Sequence, residues 1–416
     1  SYLAYQFQRP FLNDEGAEAR RKDFHGRNAK RVRKELASLR GPIMKLGQAL
    51  SMQSHVLGNE WIEELSGLQM QAPPMHEALM RAQFKGALGK SPEEVFQSFD
   101  PAPFAAASLG QVHWATTHHG DEVAVKIQYP AIRDAIENDF KILRTAGLPI
   151  QLTGHLQSSV IREVERGILE ETDYVHEANN IDFFRKHLAD LKCIRVPSVY
   201  REFSCDQVLT MSRVPGLRLN DFLKTHPSQE LRDQLGIALM RLFFFQLFKV
   251  HALHADPHPG NYLLNDDGTI GLVDFGCVKY LKPEVIRCYA QFWSREWVED
   301  RELYEDIVTT LFGDERGAKD PKVRRGMDEI RRFYDKFHPL KQPDQILDFA
   351  DRKFMDALTQ LARTLVSNKF LSPDFLFLSR TESGMCNLLH AIGSRAATTR
   401  IVREYAPRNT PRGRKI

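Results

Sequence analysis

Asp256, Asn261 and Asp274 stand in the stretch HADPHPGNYLLNDDGTIGLVDFG, residues 254 to 276, and their side-chain oxygens are spaced for one kind of chemistry. Asp256 and Asn261 are five apart, and Asp274 opens an Asp-Phe-Gly turn after a short apolar run. Phosphoryl transfer from a nucleoside triphosphate needs four parts: a carboxylate near the acceptor hydroxyl, oxygen ligands for magnesium, a cation on the phosphates and a backbone cradle around them. In this reading Asp256 accepts or orients the hydroxyl proton. Asn261 and Asp274 hold Mg2+, a hard ion that prefers oxygen. Asp-Phe-Gly alone is a weak signal, so the reading depends on the upstream chain.

The upstream parts occur in order. Lys126 ends the alternating segment VAVK, the setting that brings a lysine to nucleotide phosphates. A lone lysine at a strand end is more often a solvated edge residue, and this one gains meaning only from its company. The segment LEETDYVHEANN places Glu170, Asp173 and Glu177 at i, i+3 and i+7, one face if the helix is unbroken. Glu177 is then the natural ion-pair partner of Lys126. The bland alternative for this segment is a solvated acidic face. His251, His254 and His258 invite a zinc reading, but Pro257 and Pro259 disfavour a regular helix through all three. Bracing the loop, or neighbouring the phosphates, suits them better.

The elements that must position these residues form a mixed pattern. Residues 1–92 read as a helical extension. Residues 93–213 read as a small lobe in which VHWATTHHGDEVAVKIQYP gives strand, turn at His119-Gly120-Asp121, and strand, followed by a helical stretch over about 131–190 and further short strands. Residues 214–416 read as a large helical lobe broken by short strands over about 262–273. The expected fold class is α+β, with a small β-containing lobe followed by a helical one.

With these motifs in place the chain resembles the UbiB (AarF) family of atypical kinases, which includes the mitochondrial coenzyme Q biosynthesis kinases. The likeness runs from about residue 40 to the end of the helical lobe. Its marks lie where ordinary protein kinases differ: AAASLGQVH puts Ala105, Ala106, Ala107 and Ser108 in place of a glycine-rich loop. KLGQ, Lys45 to Gln48, matches the family's K-x-G-Q signature, and Glu171-Thr172-Asp173 its E-x-D signature. The resemblance implies a protein-kinase-like bilobal fold binding ATP or ADP with Mg2+. It also implies an extension whose Lys45 and Gln48 face Glu171 and Asp173, closing the cleft to protein substrates. Met211 falls at the gatekeeper position, and Ser212-Arg213 stand where many members carry a glutamate. The resemblance further implies support of isoprenoid-quinone (ubiquinone) biosynthesis or related lipid metabolism. A protein kinase acting in trans and a non-catalytic nucleotide-binding scaffold of a lipid-associated complex are the alternatives.

Composition narrows the remaining classes. The 416 residues carry a net charge of only +3, which argues against a dedicated nucleic-acid binder. The five cysteines form no C-x-x-C pair, so a reducing cytoplasmic or organellar compartment is expected, with the thiols as fillers. No run of about 18 uncharged apolar residues reads as a membrane span. ALMRLFFFQLFKVHALHA is broken by Arg241, Gln246 and Lys249 and reads as a core helix. Because the chain opens on Ser1, a targeting or anchoring segment before it stays open.

Arg20, Arg21, Lys22, Arg27, Lys30, Arg31, Arg33, Lys34 and Arg40 line an amphipathic opening that suits either an anionic membrane surface or a solvated face. Each basic group near an anionic surface contributes about 1 kcal/mol. The membrane reading therefore predicts flotation with anionic but not neutral liposomes. Equal flotation with both, or none, assigns the segment to solvent.

Overall fold

The computed structural model describes residues 75–107, 109–145, 165–166, 168–312, 320–367 and 372–406. The basic opening, Lys45, Gln48 and Ser108 lie outside the described residues. The chain divides into two units: Ser1–His176 with Tyr200–Thr210, and Glu177–Val199 with Met211–Ile416.

In the first unit α1 (Glu77–Leu88) and α2 (Pro92–Val95) precede β1 (Ser98–Phe99), β2 (Ala105–Ala107), β3 (Gly110–Thr116) and β4 (Glu122–Gln128), and α3 (Ile132–Thr145) follows. The alternation over 110–128 becomes the antiparallel hairpin β3–β4, with Val112 opposite Lys126. Its turn is held by Thr117, whose hydroxyl accepts the Asp121 N–H at 3.1 Å. Both β1 and β2 pair with β3, while a later strand, β6 (Val208–Ser212), joins the sheet beside β4.

Val123, Val125 and Ile127 are buried with Met80 and Phe84 of α1, Phe96 and Val208. Burying each of those β4 side chains contributes about 1.5–3 kcal/mol. A slip of one residue would turn all three outward together, so the hairpin register is fixed, and Lys126 with it. On α3, Ile132, Ile136 and Phe140 recur every fourth residue and pack with Leu109 and Ile168 in a second cluster.

Polar groups buried beside the first core are matched. Gln111 Oε1 accepts the Met75 N–H at 2.8 Å. Gln111 Nε2 lies 2.8 Å from His113 Nε2, and His113 Nδ1 lies 2.9 Å from the Asp100 carbonyl. A carbonyl only accepts, so Nδ1 carries the proton and Nε2 accepts from the amide. A second proton on the ring would face the Gln111 amino group. Burial, moreover, holds the His113 pKa below its ordinary value.

In the second unit the apolar run forms α6 (Gln229–Phe245), which buries Leu235, Leu239, Leu242, Phe243 and Phe244. Before it come α4 (Tyr174–His187), β5 (Ile194–Arg195) and α5 (Leu219–Lys224). Helix α4 and strand β6 each carry the chain from one unit to the other. Helix α6 continues as a π-helical turn, Gln246–Val250, that closes on His251 at φ 59°. Four short strands follow, β7 (Ala252–His254), β8 (Tyr262–Leu264), β9 (Ile270–Leu272) and β10 (Val278–Tyr280). They pair as β7–β10 and as β5–β9–β8. Strands β7 and β10 were not anticipated, because three residues are too few to show an alternation.

Helices α7 (Pro283–Ser294), α8 (Arg301–Phe312) and α9 (Pro321–Phe337), β11 (Leu347–Asp348), α10 (Arg352–Ser367), α11 (Pro373–Ile392), β12 (Arg395–Ala396) and α12 (Thr398–Tyr405) complete the unit. Among the described residues no helix is long and apolar enough to cross a membrane. All five cysteines are free, with Cys288 and Cys386 buried and the others half-buried. Burial pushes the Cys288 thiol up to about 11.

Just past α9, His338 sits buried with Nδ1 2.6 Å from the Thr398 hydroxyl. Desolvation first, and the Arg295 guanidinium second, lower its pKa from 6.5 to about 3. The unfolded chain therefore binds this proton more readily than the folded one. The stability is complete above pH 6.5 and falls between 6.5 and about 3, by about 1.4 kcal/mol per pH unit. Denaturant titrations from pH 7 to 4.5 should show a shallower acid slope for His338→Asn than for the native chain. Identical slopes would remove His338 from the acid sensitivity of this unit.

Candidate active site

Strand β7 delivers the chain to Asp256, and a 3-10 turn, Pro259–Asn261, delivers it to β8. The two residues singled out five apart meet across this loop. Asn261 Nδ2 donates to Asp256 Oδ2 at 2.8 Å and approaches the Asp256 carbonyl at 3.2 Å. The loop is closed further by Asn261 N–H to the His258 carbonyl at 3.0 Å and by Val273 N–H to the Asn261 carbonyl at 3.2 Å. That last bond continues the β8–β9 register, in which Tyr262 faces Leu272. Asn261 and the residue before Asp274 are thus neighbours on adjacent strands. Tyr262 is buried below them, and desolvation followed by the nearby Asp256 charge raises its phenol pKa.

The Asp-Phe-Gly turn is held on both sides. Gly276 N–H donates to Asp274 Oδ1 at 3.0 Å. Phe275 N–H donates to Glu177 Oε1 at 3.3 Å, and Asn180 Nδ2 donates to the Phe275 carbonyl at 2.9 Å. Glu177 and Asn180 are i and i+3 on α4, so one helix face grips both backbone groups of Phe275. The Phe275 ring is fully buried, 5.7 Å from Phe184 and 5.4 Å from His254.

His254 braces the other side. Its Nε2 contacts the Asp274 carbonyl, which requires the proton on Nε2. Its backbone N–H donates to Gln246 Oε1 at 3.0 Å. Asn180 and Gln246 were not anticipated from the sequence, although a glutamine inside the apolar run FFFQLF is a legible signal. Of the other histidines, His258 uses Nδ1 to accept the Gly260 N–H at 3.0 Å. Among the described residues no three His, Cys, Asp or Glu side chains gather as a metal set.

The first unit carries a second group of parts. Lys126 is buried in β4, its ammonium 5.0 Å above the Tyr174 ring, a cation–π contact. Ala105, Ala106 and Ala107 form the strand β2, facing Val112, Gln111 and Gly110 of β3. At Gly110 a side chain is excluded, since a Cβ there would lie 2.2 Å from the Ile127 carbonyl oxygen. This glycine sets how closely the alanine hairpin approaches β4.

Glu171, Thr172 and Asp173 occupy a turn rather than a continuous helix face. Thr172 N–H bonds the Leu169 carbonyl and Asp173 N–H the Glu170 carbonyl, each at 3.1 Å. Asp173 Oδ1 then accepts the N–H groups of Val175 and His176, both at 3.0 Å. Asp173 is therefore the N-terminal cap of α4. Glu170 precedes the break, which is why one face through Glu170, Asp173 and Glu177 does not exist. The turn is tied to β4 by Gln128 Nε2, 2.8 Å from the Thr172 carbonyl. In the second unit Met211 is buried, and the next residue uses its hydroxyl to accept the Ser198 N–H at 2.9 Å.

The donor set suits a hard divalent cation. With Nδ2 committed to Asp256, Asn261 turns its carbonyl oxygen away from that bond. Among the described residues Asp256 Oδ1 is buried with no hydrogen-bond partner, and a buried oxygen of this kind suits a cation or a hydroxyl. The amide oxygen of Asn261 and the carboxylate of Asp274 are donors that match Mg2+ and mismatch soft metals.

The sequence profile of the ABC1 atypical kinase-like domain matches residues 67–307. The chain belongs to this family. Among relatives, the chloroplastic protein activity of BC1 complex kinase 8 of Arabidopsis thaliana is 34% identical over 62% of this chain and 35% of its own length. The probable protein kinase UbiB of Shewanella loihica is 30% identical over 70% of this chain and 57% of its own. An uncharacterised Synechocystis protein is 33% identical over 62% of this chain and 45% of its own. The chain thus spans between 35% and 57% of the length of these relatives. A Mycobacterium tuberculosis protein, Rv3197, solved with erythromycin, superposes with a TM-score of 0.65 at 26% identity, covering 94% of this chain and 98% of its own. The fold of this ABC1 family member is therefore the kinase-like α+β fold that its sequence resembled.

Asn180 offers a direct check on the grip around Phe275. Asn180→Leu leaves the buried Phe275 carbonyl unmatched and should cost about 1–3 kcal/mol in urea denaturation. A loss below about 0.5 kcal/mol, the range of ordinary surface substitutions, would mean that the bond contributes little.

Proposed function

We propose that the chain binds Mg-ATP and transfers or hydrolyses its terminal phosphoryl group as an atypical kinase or ATPase, in support of isoprenoid-quinone or related lipid metabolism. The observation that carries the reading is the Asn261–Asp256 bond of 2.8 Å, adjoining a fixed Asp-Phe-Gly turn. It sets one carboxylate to meet an acceptor and turns one amide oxygen toward a metal. Lys126 is given the phosphates, and Asn261 and Asp274 the magnesium, which would neutralise charge on the phosphates when bound. Asp256 orients the attacking hydroxyl or water and takes up its proton. The quinone assignment rests on family membership, and the relative named UbiB is its nearest support.

Two substitutions separate the roles. Asp274→Asn should abolish the magnesium-dependent rise in thermal midpoint that ATP produces. Asp256→Asn should keep that rise while lowering phosphate release by about 100-fold or more. The assay is run with and without liposomes and a quinone-head mimic. Radiolabel appearing in added protein, rather than as free phosphate, would favour a kinase acting in trans. Stabilisation by nucleotide without any turnover would favour the scaffold. An unchanged shift in Asp274→Asn would refute the metal assignment.

A further inference from the structure

Helix α11 lies beyond the residues that the family profile matches, 67–307, yet it holds the catalytic segment at two places. Near its N-terminus Asp374 pairs with Lys279 at 3.0 Å and Lys282 at 3.2 Å. The Lys279 ammonium also lies 5.1 Å over the Phe377 ring. Lys279 faces Leu253 in the β7–β10 pair, so these contacts anchor the strand beside the one that leads into Asp256. Burial acts to raise the Asp374 pKa, but the two ammonium groups prevail and hold it low, which keeps the anchor charged.

Further along the same helix, Gly384 meets Pro257, the residue after Asp256. A Cβ at Gly384 would lie 2.2 Å from Pro257 Cγ and 2.6 Å from Pro257 Cβ. A proline ring is part of its own backbone and cannot swing aside. Glycine also weakens a helix interior, so its presence here answers a contact rather than a propensity. Its backbone forms the surface on which the loop rests.

We propose that α11 is the positioning helix of the catalytic loop, and that Gly384 is the positioning residue whose bare backbone seats Pro257 and thereby Asp256. The consequence for turnover rests on the phosphoryl-transfer reading, whereas the contact and its effect on the loop do not. A helix that merely packed would stabilise the unit as a whole. This one also acts locally, through the Asp374 ion pairs and the Pro257 ring, on the segment that carries Asp256.

The test is a double-substitution cycle on the full chain with Gly384→Ala, Pro257→Gly and both together. Hydrogen exchange is followed at the amides of Ala255, Asn261 and Val273, which bond within this segment. Gly384→Ala alone should reduce their protection about tenfold or more. It should lower kcat about tenfold with the KM for ATP changed less than about twofold, because the loop is displaced while the nucleotide groups are kept. In the Pro257→Gly background Gly384→Ala should change protection by less than about twofold. Unchanged protection in Gly384→Ala, or an equal loss in both backgrounds, would overturn the proposal.

If neither chain bearing Gly384→Ala folds, Asp374→Asn serves instead. It should lower protection at Ala255 about threefold or more, and no change there would overturn the proposal. Coupled loss of protection in chains that never turn over ATP would refute the phosphoryl-transfer reading and leave the positioning role standing.

Discussion

One hydrogen bond, from the Asn261 amide to the Asp256 carboxylate, decides how the loop between β7 and β8 presents its side chains. It spans five residues that include Pro257, Pro259 and Gly260. The two prolines narrow the backbone choices, and the amide selects among those that remain. The bond also divides labour within each side chain. Asn261 uses its donor inside the protein and leaves its acceptor outside that bond. Asp256 has one oxygen fixed and the other buried without a partner among the described residues. Strands β7 and β8 supply the two ends of the loop, and β10 and β9 keep those ends in place. Strands β7, β8 and β9 thus hold the loop while burying Leu253, Leu264, Ile270 and Leu272 in the core.

The same economy governs the Asp-Phe-Gly turn. Burying the Phe275 ring takes its backbone amide and carbonyl out of water, and both must find partners. Glu177 and Asn180 provide them from successive turns of α4. A buried carboxylate is costly unless it is bonded, so Glu177 is constrained to face donors. The His254 contact with the Asp274 carbonyl closes the remaining side. Every backbone group around Asp274 that these contacts touch is thus committed before any ligand arrives, which is what a preorganised electrostatic site requires.

Much of this was legible in the sequence, for identifiable reasons. Asp256, Asn261 and Asp274 could be read because their spacing is set by one loop and one short hairpin, both local in the chain. The β3–β4 hairpin could be read because seven residues on each strand alternate around a glycine turn. Strands of three residues such as β7 and β10 carry no such period and are created by tertiary pairing. The break at Glu171–Asp173 was hidden for a related reason. Its carboxylates have helical spacing, but Asp173 prefers to cap the helix that follows, and capping ends the face that spacing implied. Asn180 acts on a residue at a sequence separation of 95 and Gln246 on one at a separation of 8, and no local pattern announces the first.

The alanine segment shows how the structure relocates a constraint. In place of glycine, Ala105, Ala106 and Ala107 run extended against β3, and none of the three has a positive φ. Alanine is at ease there, so the segment gives up the left-handed conformations that glycine would allow without straining the backbone. The requirement for a bare Cα moves to Gly110, where β3 closes on the Ile127 carbonyl. Extended backbone along β2 and close approach beside the turn come from different residues, although Ala107 and Gly110 face each other. A segment made this way is fixed by the same hairpin register that fixes Lys126, since Val112 and Gly110 pair with Lys126 and Gln128 in one ladder. Changing the shape of this hairpin therefore means changing the ladder itself, and the buried Val123, Val125 and Ile127 oppose any shift.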